Sequence, residues 1–277
     1  MNAVPREPAP ADRGYESKHR AMWALGDYPT VAAELVASLG PILLSATGVG
    51  AGDRVLDVAA GTGNAAIPAA LAGADVIASD LCPQLLDRGR ELAQTRGASL
   101  RWVEANAEAL PFDSDEFDAV LSCLGVMFAP YHQRCADELV RVCRPSGVIG
   151  LIAWTPEGFI GQMFAAMKPY LAAPLPGAQP APLWGNEEHV RHLLGDRVSD
   201  FSAQRHTLRV DQFADGAAFR DYFKAHYGPT VAAYRGIADK PDRVAELDAS
   251  LAGLGDRHLA TASAMEWQYL LVTARKR

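Results

Sequence analysis

A glycine turn and two carboxylates stand closest to chemistry in this sequence. The turn lies in Val55-Leu-Asp-Val-Ala-Ala-Gly-Thr-Gly-Asn64, where Gly61 and Gly63 follow a short apolar run directly. Glycine there lets the backbone approach a ligand closely, and the next helix offers free N–H groups and the positive end of its dipole. Asp57 sits four residues before Gly61, and Asp80 follows Gly61 by 19 residues. Gly61-x-Gly63-x-x-Ala66 also fits a dinucleotide-binding fingerprint, so a nicotinamide-dependent oxidoreductase stays open on this turn alone. Asp57 argues against it. A carboxylate at the end of the strand would repel a pyrophosphate, yet it suits a ligand carrying an ammonium and a sulfonium. An acid at Asp80 can accept hydrogen bonds from both hydroxyls of a ribose.

Positioning these groups requires alternating strands and helices, and the chain provides them. Apolar runs at 54–58, 75–79, 100–104, 117–122 and 148–153 read as buried strands. Helical spacing fills 64–72, 83–97 (with Pro83 at its start) and 131–143, the last stopped by Pro145-Ser-Gly147. Further strands fall near 200–210 and at 267–273, which makes seven. The expected fold is α/β: a Rossmann-like, doubly wound, mostly parallel seven-stranded sheet with helices on both faces and a helical cap. Such sheets bind ligands beyond the carboxyl ends of their strands, where Asp57 and Asp80 both lie. Ahead of the first strand, 21–47 reads as two helices broken at Gly40-Pro41, and Asn186 is placed to cap a helix reaching Leu194.

With these motifs the sequence resembles the class I S-adenosylmethionine-dependent methyltransferases, in the broad branch that includes the ubiquinone/menaquinone methyltransferases. Val55–Asn64, Ala78-Ser-Asp80, Asn106-Ala-Glu-Ala-Leu-Pro-Phe112, Phe117–Ser122 and Leu139–Gly147 carry the resemblance, over about residues 50–154. It implies S-adenosylmethionine as cofactor and methyl transfer as reaction. It also implies that Asp57, Ala59, Gly61 and Gly63 hold the methionine portion and that Asp80 binds the ribose. Leu81 would pack on the adenine, and Asn106 and Ala107 would meet its edge. Ser122 would line the floor under the sulfonium, while Trp23 and Tyr28 belong to a segment folding over the cofactor. Two departures stand out: Ala59 where the family has glycine, and Asn106 where it has aspartate. A protein that binds the cofactor without transferring its methyl group is the remaining alternative.

The acceptor side is less legible. Methyl transfer from a sulfonium needs alignment in a dry pocket, and a base only if the acceptor must lose a proton. His132, His226 and Tyr227 are the catalytic candidates. Tyr222 and His226 share one helix face at i, i+4. Trp23, Tyr28, Tyr222, His226 and Tyr227 are expected to face the cleft, in a lid built from both ends of the chain.

Composition narrows the partners. The chain has 277 residues, 49% of them hydrophobic, and a formal net charge of −7. An acidic balance makes nucleic acid a poor partner. No apolar stretch approaches the roughly 20 residues of a membrane span, and the polar, proline-rich start lacks a secretory signal, so a cytoplasmic location is expected. The four cysteines form no C-x-x-C pair and read as free thiols, with no metal site. Three regions are expected: a mobile tail over 1–20, cap helices and cofactor core over 21–154, and over 155–277 the rest of the same domain, with substrate-cap segments at 157–182 and 211–260. Aromatic residues and methionines in those segments point to a small apolar or aromatic acceptor, with a homodimer as an open further partner state.

Overall fold

The computed structural model describes residues 10–260 and 264–277. Seven strands form one sheet: β1 (Arg54–Val58), β2 (Asp75–Asp80), β3 (Arg101–Glu104), β4 (Phe117–Cys123), β5 (Cys143–Trp154), β6 (Val198–Val210) and β7 (Met265–Lys276). Their order is β3-β2-β1-β4-β5-β7-β6. The first five run parallel, and β7 lies antiparallel to both β5 and β6. The chain winds outward from β1 to β3, then crosses back to place β4 on the other side of β1. That reversal opens a crevice at the carboxyl ends of β1 and β4, the place where such sheets receive ligands. The central strands are apolar on both faces, as a sheet covered on both sides requires: Val55, Leu56 and Val58 of β1 and Ala119, Val120 and Leu121 of β4 are all buried.

Helices α1 (Pro10–Trp23), α2 (Tyr28–Glu34) and α3 (Leu39–Thr47) precede β1. Residues 10–20, expected within a mobile tail over 1–20, belong to α1, and residues 1–9 lie outside the described residues. Tyr15, His19 and Trp23 recur every four positions, so they form one face of α1: Tyr15 stacks on His19, and His19 meets Trp23 edge to face. Arg20 pairs with Glu104 at the end of β3, and the Asn106 amide donates to Glu16 at 2.7 Å, which fastens α1 over the strand ends. The expected helix break at Gly40-Pro41 also moves. Both residues sit in the first turn of α3, where proline costs no hydrogen bond. A β-carbon on Gly40 would overlap the carbonyl oxygen of Asn64, so this glycine is there to let α3 close on the turn after β1.

The remaining helices are α4 (Ala66–Leu71), α5 (Pro83–Thr95), α6 (His132–Val142), α7 (Phe159–Met167), α8 (Glu187–Leu194), α9 (Gly216–His226), α10 (Gly228–Arg235) and α11 (Pro241–Leu259). Asn186 caps α8 through a hydrogen bond from the His189 amide at 2.9 Å. Helices α9 and α10 meet the N-terminal segment: the Asp27 amide donates to the His226 carbonyl at 2.8 Å, and Gly228 fits beneath Met22. The two ends of the chain therefore join above the crevice. Among the described residues no single helix is long and apolar enough to cross a membrane, and no metal-ligand cluster occurs. All four cysteines are free.

Candidate active site

The turn after β1 is built from left-handed backbone. Ala59 has φ +53°, Gly61 +56° and Gly63 +86°. Glycine takes this conformation freely, whereas a β-carbon costs about 1–2 kcal/mol there. Ala59 thus holds strain at the cleft wall. Leu124, at the carboxyl end of β4, is likewise left-handed at +66°. The strain sits where strand ends meet the crevice, a frequent place for it in functional sites.

Two carboxylates organise this turn. Asp80 lines the crevice, and its two oxygens accept from the Gly61 and Cys82 amides at 2.8 Å each. Asp57 lies behind the turn, 1% exposed. Its Oδ2 accepts from the Ala66 amide at 2.9 Å, and its Oδ1 is buried with no hydrogen-bond partner. Burial pushes the Asp57 carboxyl up to about 7, against the pull of the Ala66 amide and with a further upward push from the charge of Asp80. Burial raises Asp80 as well, opposed by its backbone donors. Two desolvated acids, neither in a salt bridge among the described residues, favour a ligand that carries positive charge.

The crevice spans about 850 Å³ of empty space, part of it open to solvent. Its wall contains Trp23, Tyr28, Ala59, Gly61, Asp80, Leu81, Asn106 and Ala107, eight of the residues expected there. The Tyr28 ring passes over Gly61, with its Cε1 3.5 Å from where a β-carbon would stand. Tyr15, His19 and Arg20 also line the wall, and the sequence reading missed them. The signal for Tyr15 and His19 is their four-residue spacing with Trp23 in α1. His19 accepts a hydrogen bond from the Trp23 indole at 3.0 Å, and burial drives its imidazole down to about 4, so it is neutral.

Several expected residues lie elsewhere. The Ser122 hydroxyl donates to the Val58 carbonyl at 2.7 Å and accepts from the Val126 amide at 2.9 Å, so it clips β4 to β1 and is fully buried behind the wall. The β-carbon that Gly63 lacks would clash with Trp102 and Ile67; this glycine serves packing. Asn106 lines the crevice, but its oxygen already accepts from the Glu108 amide at 2.9 Å. His132 is not in the crevice. It is fully buried between α6 and α8, with Nδ1 2.9 Å from His189 Nε2 and its ring against Trp184. His226 packs at a tilt against Tyr222, ring centroids 4.7 Å apart, and is absent from the crevice wall, and the Tyr222 hydroxyl donates to Glu34. Of the five expected lid residues, Trp23, Tyr28 and Tyr227 face cavities, whereas Tyr222 and His226 join the two chain ends.

A mostly parallel sheet of this order, with one acid near the carboxyl end of β1 and another closing β2, is a Rossmann-like α/β fold with its ligand crevice at the switch point. Comparison with known proteins gives the family. The family described as a methyltransferase domain matches residues 56–151. An uncharacterized protein of Mycobacterium tuberculosis is 53% identical over 98% of both chains. The demethylmenaquinone methyltransferase of Thermus thermophilus is 33% identical over 45% of this chain and 60% of its own. Among solved structures, geranyl diphosphate C-methyltransferase from Streptomyces coelicolor, in complex with S-adenosyl-L-homocysteine, shares the fold with a TM-score of 0.52 and 17% identity. That match covers 87% of this chain and 76% of the other. The chain belongs to the class I S-adenosylmethionine-dependent methyltransferases. S-adenosylmethionine is its methyl donor, and the dinucleotide reading of the glycine turn is set aside. The residues present fit that donor: a carboxylate on the wall at Asp80, an unpaired buried carboxylate oxygen at Asp57, and a glycine turn between them.

Proposed function

We propose that this enzyme methylates a small apolar or aromatic molecule, with Asp80 holding the ribose of the cofactor. The observation that carries the cofactor placement is Asp80 itself: it stands on the crevice wall, tied to the glycine turn by the Gly61 amide. Its oxygens retain capacity to accept from two ribose hydroxyls. In this reading Leu81 and Ala107 flank the adenine, and the backbone of Ala59 and Gly61 meets the methionine portion. Trp23 and Tyr28 cover it, with Asp57 facing the ammonium end from behind the turn. Asn106 acts mainly by holding α1 through Glu16. Ser122 and Gly63 support the wall without touching the ligand.

When bound, S-adenosylmethionine supplies a methyl group on a positively charged sulfur. The chain's own contribution is alignment and exclusion of water. The imidazole in the crevice has its free lone pair occupied by the Trp23 indole, and Glu108 accepts from the Tyr131 amide at 3.0 Å. The imidazole is therefore not poised as a base, which favours an acceptor that need not give it a proton. The aromatic roof from both chain ends favours a small acceptor over a macromolecule, and the name of the Thermus relative points to a ring-bearing one.

Calorimetry with S-adenosylhomocysteine tests this reading. Asp80→Ala removes two charge-assisted hydrogen bonds, worth about 1.5–3 kcal/mol each before compensation. Affinity should fall at least tenfold in a variant with native circular dichroism. Undiminished affinity would place the ribose elsewhere.

A further inference from the structure

Beyond the crevice lies a second, smaller chamber. It spans about 370 Å³ of empty space, part of it open to solvent, and shares Tyr28, Leu124 and Phe128 with the first. Six of its eleven lining residues are aromatic: Tyr28, Phe128, Trp154, Phe223, Tyr227 and Trp267. The rest are aliphatic side chains or methionine, and none is charged. The rings meet largely edge to face, Trp154 on Trp267 at 5.9 Å and 84°, Phe223 on Tyr227 at 5.4 Å and 61°. Walls of this kind present both faces and edges of rings to a flat guest.

We propose that this chamber seats an uncharged aromatic acceptor, whose polar atom is held at the Tyr28–Tyr227 pair where the two chambers join. The inference rests on the methyltransferase reading above and specifies its acceptor. A charged guest would lose its hydration here with no counter-charge in the wall, a cost that excludes carboxylates, phosphates and ammonium groups from the seat. The Tyr28 and Tyr227 rings are 6.4 Å apart. Neither hydroxyl makes a hydrogen bond among the described residues, and burial keeps both protonated. Two unpaired hydroxyls among the residues of an otherwise apolar lining are the polar contacts that would orient a guest. Tyr28 lines both chambers, and its ring also covers Gly61. Trp267 lines the chamber with a buried indole N–H that lacks a partner, a further donor in an otherwise apolar wall.

The test uses the full chain saturated with S-adenosylhomocysteine and three probes: quinoline, naphthalene and naphthalene-2-sulfonate. Quinoline should bind saturably, and the sulfonate at least tenfold more weakly. Met163→Trp fills the chamber and should weaken quinoline at least tenfold while S-adenosylhomocysteine affinity stays within twofold. Ile160→Phe, a smaller addition, is read in the same way should Met163→Trp not fold. Tyr227→Phe should weaken quinoline at least threefold and leave naphthalene unchanged. No quinoline binding, sulfonate binding as tight as quinoline, or filling variants with undiminished quinoline affinity would each overturn the proposal. Failure of the wild-type protein to bind S-adenosylhomocysteine counts against the cofactor placement, whereas its binding without quinoline counts against the chamber alone.

Discussion

Gly125 lies directly against Ala59: a β-carbon at Gly125 would overlap the Ala59 carbonyl oxygen and stand 2.7 Å from the Ala59 methyl. The loop after β4 therefore braces the strained turn after β1 from below. Gly125→Ala must push that turn out of place. Overpacking of this kind costs typically about 1–3 kcal/mol. The expected result is a stability loss in that range by urea denaturation, together with at least a tenfold loss of S-adenosylhomocysteine affinity. A variant with weakened stability and wild-type affinity would show that the turn does not shape the cofactor site.

The Asp57 carboxyl predicts proton release on cofactor binding. In the free protein burial raises it from 3.8 to about 7. The folded state thus holds a proton there that the unfolded chain has already lost, and the stability this contributes is present at low pH and disappears as pH rises through 7. A cationic ligand favours the carboxylate and expels the proton. Affinity for S-adenosylhomocysteine, which keeps its ammonium, should rise with pH up to about 7 and then level off. Calorimetry at pH 6.5 in buffers of different ionisation enthalpy should detect the released proton, and Asp57→Asn should abolish it. Buffer-independent heats in the wild-type protein would separate Asp57 from the cofactor's charge.

His132 predicts an effect on stability without an effect on binding. It is fully buried against His189, and burial followed by the charge of His189 lowers it to about 4. Its neutral form is the native one, so its contribution is complete above the unfolded value near 6.5 and is lost as pH falls toward 4. His132→Phe should leave S-adenosylhomocysteine affinity within twofold at pH 7. Its urea midpoint should fall less than that of the wild type between pH 7 and pH 5. A cofactor affinity that drops tenfold at constant stability would return His132 to the site.

The parallel core was legible because its strands are short apolar runs ended by glycine, proline or acid, and each of those signals is local. Asp57, Gly61 and Asp80 were legible for the same reason: their spacing is fixed by a single β–α–β unit. Side-chain direction was not. Ser122 and Cys123 are adjacent in sequence, yet alternation along β4 buries the first and opens the second to the crevice. His132 was misread because its partner, His189, is 57 residues away on α8. The docking of α1 was hidden for a related reason. Arg20 finds Glu104, and Glu16 finds Asn106, only once β3 is in place.

The position of β7 has a consequence for how the molecule is made. β5 ends at Trp154 and β7 begins at Met265, yet β7 is the strand that joins β5 to β6. A ribosome releases the whole cofactor-bearing half, with an exposed edge along β5, long before the strand that closes it exists. Strand β6 lacks its sheet partner during that interval, because among the described residues it pairs with β7 alone. Trp267, on that late strand, is also part of the inner chamber's wall. The growing chain therefore completes the surfaces for the methyl donor first. The seat proposed for the acceptor appears only when the last strand slides between two that are already waiting.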